Sequence, residues 1–230
     1  LCETKALKRI FEEDDMHLKE FATGVGGTLE KPNKNKLIIF LCVDDSDTSY
    51  NFVCSMLYSQ ALTILMRMAD NDFDGSLPTA LELWLDEFYA GARPADCAQL
   101  IGVIRSRNIS MIPILQSTSQ LKDLYQGEKA EIIHDNVPIF YFGGCGQGAI
   151  ETQKAISELL GKSTVDIASD GNNGNNRSNN YQKTGRELMT PAEVKKMDKH
   201  NCIIFLEDEQ PILDRKALPW EDNPLFDHAM

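Results

Sequence analysis

Asp86 and Glu87 stand side by side where the apolar run LELWL (81–85) gives way to a loop. Two adjacent carboxylates are costly to take out of water unless a cation or a proton in transit compensates them. The carboxyl end of a strand is where α/β sheets carry their ligand sites. There, one acid would hold a hydrated divalent cation, and the other would polarise a water for attack on a phosphoryl group. The next apolar run, SMIPIL (110–115), leads into Gln116, whose amide both donates and accepts and so suits a water or a terminal phosphate. Between the runs lie Arg105 and Arg107. Each is well-signed charge for a helix C-terminus, the preferred reading for Arg107. Either is also a guanidinium able to neutralise transition-state charge in a neighbouring subunit. Taken singly, the acids read as a helix cap or solvated rim and Gln116 as a loop hydrogen-bonder. Two strand ends in succession bring triphosphate chemistry level with that plain reading.

That chemistry needs a phosphate cradle, and no stretch of the 230 residues fits GxxxxGK[ST]. GKST at 161–164 comes close, but the position five before Gly161 is Ile156. It also ends a predicted helix, whereas a P-loop opens one so that its N–H groups face the phosphates. A second glycine cluster offers a rival. PIFYFGGCGQGAIETQ reads as a strand, a G-x-G-x-x-A turn at Gly144, Gly146 and Ala149, then a helix, with Asp166 placed to receive a ribose hydroxyl. This is the outline of a Rossmann-type dinucleotide site. It comes late in the sheet and leaves the acid pair and Gln116 unexplained.

The elements that would carry these residues follow from periodicity. Residues 3–21 mix charges with Leu7, Ile10, Phe11, Leu18 and Phe21 at roughly helical spacing, and TGVGGTLEKPNKNK breaks that pattern. LIIFLCV (37–43) is a continuous apolar run, predicted as a strand buried on both faces. Asp47, Thr48 or Ser49 would cap a helix over 50–69, with a core stripe of Val53, Leu57, Ala61, Ile64 and Met68. Then come a strand at 81–85, a helix at 95–108, a strand at 110–115 and two short helices. A strand at 138–142, a helix at 149–161 and a short strand at TVDIA follow. The Asn/Gly-rich SDGNNGNNRSNNYQ (169–182) predicts a mobile loop. Thr190 and Pro191 open a short helix at 191–197, and CIIFLED (202–208) is a strand that PILDRK is placed to pair with. Strands alternating with helices predict an α/β fold: a mainly parallel sheet with helices on both faces.

The net charge of −12 excludes a bulk electrostatic grip on nucleic acid, though not local phosphate contacts. Six cysteines, at 2, 42, 54, 97, 145 and 202, form no CxxC pair, and Cys42, Cys54 and Cys202 read as small buried hydrophobes in a reducing compartment. No apolar run approaches the ~18 residues of a membrane span, so the chain is expected to be soluble by itself. It begins with Leu1 and reads as a piece of something longer.

From about residue 37 to 215 the motifs resemble the TraG-type coupling proteins of conjugative type IV secretion systems, in the version common in Gram-positive bacteria. SDTSYNFVCSMLYSQ, LWLDEF, LIGVIRSRNISMIPILQSTSQLKDLY, IIHDNVPIFYFGG, ISELLGKSTVD and NYQKTGRELMTPAEVKKMD carry the resemblance, with a weaker one over 1–28. It implies the C-terminal part of a RecA-like P-loop NTPase core over residues 31–216. Residues 1–30 would be the remnant of an inserted helical region and linker, and 217–230 an acidic tail. The membrane helices and the P-loop would lie upstream of Leu1. The resemblance further implies a homo-hexameric, ATP- and Mg2+-dependent DNA translocase at the cytoplasmic face of the membrane. Such a motor passes relaxase-bound single-stranded DNA, or protein substrates, to the secretion channel. Asp86 matches the magnesium-associated acid, Glu87 the catalytic acid, Gln116 the glutamine after the next strand and Arg105 the finger across the subunit interface. The YAGARP after LDEF departs from the family's loop, and without a P-loop the chain alone is expected not to hydrolyse ATP. A non-hydrolysing docking fragment, with Trp220 and Phe226 in its tail as a peptide-like contact, is the alternative from another class.

Overall fold

The computed structural model describes residues 16–43, 48–125, 128–173 and 176–222, with backbone alone over 166–182. Leu7, Ile10, Phe11, Asp47 and Phe226, and the side chain of Asp166, lie outside what it describes. In chain order the elements are α1 (Glu20–Thr23), α2 (Asn51–Asp72), β1 (Leu81–Leu85), α3 (Cys97–Ile104), β2 (Ile109–Pro113), α4 (Thr118–Leu124) and α5 (Glu128–Asp135). Then come β3 (Ile139–Phe142), α6 (Ile150–Leu160), β4 (Lys162–Asn173), β5 (Asn176–Glu187), α7 (Pro191–Lys195), β6 (Asn201–Leu206), β7 (Ile212–Arg215) and α8 (Pro219–Asp222). The chain divides into two units, Leu1–Leu115 with Leu124–Asn136, and Gln116–Asp123 with Val137–Met230.

The first unit is built on a parallel pair. β1 and β2 run in register from Leu81 beside Ile109 to Leu85 beside Pro113, joined through α3. Leu81 and Leu85 are buried while Glu82 and Trp84 are exposed, so β1 buries one face only. That face packs with Ile109 and Ile104 against the second half of α2, where Leu62, Leu65, Met68 and Ala69 are buried. The predicted stripe is therefore displaced: of its members only Met68 is buried, and Val53, Leu57, Ala61 and Ile64 are half-buried. Arg107 clamps α2 with a fork of two 2.9 Å bonds to the Asp70 carboxylate, which assigns it a structural role beyond charge at a helix end.

Two expectations for this unit are corrected. Residues 37–43 form no strand; Ile38 is 73% exposed and Phe40 84% exposed, and the run lines an open groove of about 640 Å³ beside β1 and α2. An apolar run becomes a doubly buried strand only where both faces find partners, and here they do not. Secondly, the helix spanning Thr48–Asp72 is long and apolar enough to cross a membrane by length and composition. Its buried residues belong to the core just described.

The second unit has antiparallel sheets. β3, β6 and β7 lie in that order, with Phe142 beside Ile203 and Asn201 beside Arg215. Phe142 and Ile203 close a core with Ile156 of α6 and Val194 of α7. Thr190 caps α7 through a reciprocal box, its hydroxyl accepting from the Glu193 N–H while the Glu193 carboxylate accepts from the Thr190 N–H at 2.8 Å. β4 and β5 pair antiparallel from Lys162 beside Glu187 to Asn173 beside Asn176. A mobile loop was expected over 169–182. Ladder bonds join backbone groups, so a polar, Gly-rich composition does not by itself preclude them. Among the described cysteines Cys97 and Cys202 are buried, whereas Cys54 is half-buried and Cys42 exposed, against the expectation of three small core residues.

Candidate functional site

Asp86 follows β1 directly, and the parallel register puts it on the same edge as the end of β2. Backbone pairing continues past the strands: Ile114 donates to Leu85 at 3.0 Å and Phe88 donates to Ile114 at 3.1 Å. The acids are thus held by a ladder on one side and by a turn on the other, where Gly91 donates to the Glu87 carbonyl at 2.7 Å. Phe88, 1% exposed, anchors this turn in the interior and stacks on Tyr125 at 6.4 Å. Asp86 and Glu87 remain exposed. Glu87 sits at φ 47, a left-handed backbone that a residue with a side chain adopts at a cost.

The loop is braced by a residue the sequence reasoning missed. Nη1 of Arg93 donates to the carbonyls of Tyr89 (2.9 Å), Phe88 (3.1 Å) and Gly91 (3.4 Å). Burial pushes the Tyr125 phenol well up; Cys97 beside it acts in the same direction, and Arg93 opposes both. Arg93 lies in YAGARP, residues 89–94. A lone arginine after an acid pair was the only signal available.

Asp86 Oδ1 accepts the Glu87 N–H at 3.0 Å, which orients the carboxylate. Magnesium is held through hard oxygens, commonly one or two carboxylates with waters and phosphate oxygens completing the shell. An exposed, oriented carboxylate at a strand edge fits that donor set. Among the described residues no three His, Cys, Asp or Glu side chains cluster as a self-sufficient metal site.

Arg105 opens a 3-10 turn, Arg105–Arg107, ahead of β2, and is exposed. It therefore lies at the amino edge of the parallel pair and Asp86 at the carboxyl edge. Five residues of strand at ~3.3 Å each separate the two edges by about 16 Å.

Gln116 is the first residue of the second unit and is exposed. Its N–H donates to Gln120 Oε1 at 2.8 Å. Two residues on, the Thr118 N–H and hydroxyl meet the buried Thr152 hydroxyl of α6 at 3.3 and 3.1 Å. The neighbouring Gln153, 5% exposed, donates to the carbonyls of Gly146 (3.2 Å) and Gln147 (3.3 Å). The first turn of α6 thus fixes the Gln116 loop with one buried polar residue and the glycine turn with the next. Adjacent polar residues on an otherwise amphipathic helix were the available clue.

The same geometry removes the dinucleotide reading. β3, the strand before Gly144, pairs antiparallel with β6, and β4, the strand after α6, pairs among the described residues with β5, also antiparallel. A dinucleotide turn requires two parallel strands joined by its helix. Gly144, Gly146 and Ala149 form a connection of another kind.

Solved structures share this architecture. The unbound bacterial conjugative coupling protein TrwBdeltaN70 matches with TM-score 0.59 and 20% identity over 82% of this chain and 42% of that one. Plasmid coupling protein TrwB with the ATP analogue ADPNP gives 0.57 and 19% over 81% and 41%. The same protein with ADP and Mg2+ gives 0.57 and 19% over 83% and 42%. The chain spans less than half the length of these chains. No curated protein matches it. The fold is that of the RecA-like NTPase core, an α/β arrangement in which the parallel pair and its helices carry the acid pair. Residues 24–230 match the family described as Type IV secretory system Conjugative DNA transfer, and the chain belongs to that family of coupling proteins.

Proposed function

We propose that this chain supplies the acid pair and the glutamine of the ATP site in a conjugative DNA-transfer motor. The observation that carries the reading is the Asp86–Glu87 turn: two exposed carboxylates at the carboxyl edge of a parallel pair, held by Arg93 in a left-handed backbone within a coupling-protein family. Asp86 would hold Mg2+ through its outward oxygen, and the ion would neutralise charge on the phosphates. Glu87 would take the proton of the attacking water, and Gln116 would orient that water against the γ-phosphate. Arg105, on the far edge, is too distant to serve its own acid pair and suits a neighbour's site in a homo-hexameric ring. The solved TrwB chains with ADPNP and with ADP and Mg2+ support this choice of ligand. Hydrolysis would drive relaxase-bound single-stranded DNA, or protein substrates, into the secretion channel from the cytoplasmic face of the membrane. The P-loop would come from a segment outside these residues.

The test is ATP hydrolysis and plasmid transfer by a coupling protein of full length that contains this chain. Glu87→Gln should lower turnover on the order of 10²- to 10⁴-fold with nucleotide binding kept. Unchanged turnover would overturn the assignment, and unchanged transfer would leave the chain as a docking element. The 230-residue chain alone should show no hydrolysis.

A further inference from the structure

The register of the three-stranded sheet brings several chain segments to one end. Phe142 lies beside Ile203 and Asn201 beside Arg215, so the Gly143–Gly146 turn, Lys199 and Lys216 all emerge at the same edge. With Lys195 and Gln116 they line an open cleft of about 350 Å³, within the range of small-ligand sites. None of the three lysines makes an ion pair among the described residues. The single carboxylate of the lining, Asp198, has Oδ1 engaged by the His200 N–H at 2.8 Å. Three ammonium groups against one carboxylate run counter to a chain with 35 acidic and 23 basic residues.

The glycine turn is shaped for close approach. Gly144 has φ +106, and a Cβ at Gly144 or Gly146 would meet nothing within 4 Å, so the backbone faces open space. A Cβ at Gly143 would come within 3.8 Å of Lys216 Nζ, so that ammonium lies directly over the turn. Behind it, the buried Gln153 holds the Gly146 and Gln147 carbonyls and fixes the turn before any ligand arrives. Bare backbone with converging ammonium groups is the chemistry of anion recognition.

We propose that this cleft binds phosphate groups through Lys195, Lys199, Lys216 and the Gly143–Gly146 turn. The shared chemistry is that of a nucleotide's polyphosphate or a single strand's phosphodiester backbone. The site shares Gln116 with the hydrolysis reading and does not rest on it, since a Gln116→Ala variant should lose turnover and keep phosphate affinity.

The test titrates the 230-residue chain at low salt with tripolyphosphate and with a labelled oligothymidylate, by calorimetry and anisotropy. Removing all three lysines (Lys195→Ala, Lys199→Ala, Lys216→Ala) should abolish saturable binding. Lys122→Ala, an exposed lysine of the same unit, should leave it intact, with circular dichroism confirming each fold. Displacement of tripolyphosphate by ATP but not by oligothymidylate identifies the nucleotide as the source. Displacement by oligothymidylate, with a log–log salt slope near −2 that falls by about 0.7 per lysine removed, identifies the DNA backbone. No saturable binding of either probe, or equal loss in Lys122→Ala, would overturn the proposal.

Discussion

Glu87 holds φ 47 with a full side chain, where glycine would sit without strain. A left-handed backbone costs such a residue roughly 1–2 kcal/mol, and the loop accepts that cost to hold the carboxylate out beside Asp86. Glu87→Gly should therefore be at least as stable as the parent in urea unfolding while abolishing the proposed catalysis. Glu87→Val, β-branched at the same backbone, should be less stable than either. A marked loss of stability in Glu87→Gly would show that the carboxylate serves structure. Arg93 supplies the complementary test. Arg93→Ala removes three carbonyl bonds from one guanidinium nitrogen, and hydrogen bonds to a charged group contribute about 1.5–3 kcal/mol. The expected result is a loss of that order and faster amide exchange over 86–91. Exchange unchanged there would mean that Phe88 and the ladder suffice. The place of the acid pair at a strand's end was legible in the sequence because the apolar run stops at Leu85, where β1 ends. Arg93 was not, because its partners are backbone carbonyls that no residue pattern announces.

The elements divide along the same line. β1, β2 and α3 were readable because a short apolar run or a helical stripe encodes local geometry, and the cap of α7 was readable from Thr190 and Pro191. Pairing was not. β3 has the composition of a parallel strand and pairs antiparallel with β6, a residue separation no periodicity records. The β4–β5 pair shows the opposite failure, since polar and glycine-rich composition hid a ladder built from backbone bonds. The α7 cap makes a sharp prediction. Hydrogen bonds from the Thr190 N–H and then from its hydroxyl hold the Glu193 carboxyl below its ordinary value, with Arg186 adding to them. A depressed folded value stabilises the cap above the unfolded value and is lost as pH falls through the folded one. The cap's contribution to stability should thus decline on acidification through and below 4.5, and Thr190→Ala should make the unfolding midpoint fall less steeply there than in the parent. The same substitution should cost about 1 kcal/mol at neutral pH, and a neutral-pH midpoint equal to the parent's would count against the cap.

On the scale of the whole molecule, the groove beside β1 is the feature that a chain of this extent leaves unanswered. β1 has one hydrogen-bonded neighbour among the described residues, and Ile38, Phe40 and Trp84, which line the groove, are the most exposed large apolar side chains described in that unit. Large apolar patches of this kind mark contact surfaces. The matched TrwB chains are more than twice as long as the part aligned here, so the expected cover is the remainder of the same NTPase core. Both tryptophans report on the surface, Trp84 at 65% and Trp220 at 61% exposure, and Trp220→Phe leaves the groove's indole alone. In the 230-residue chain that indole should emit as a solvated one and be readily quenched by acrylamide. In a full-length coupling protein carrying the same substitution its emission should shift to the blue and quenching should fall. Equal quenching in both proteins would mean that this face stays open when the rest of the motor is present, and that the run 37–43 is exposed for another partner.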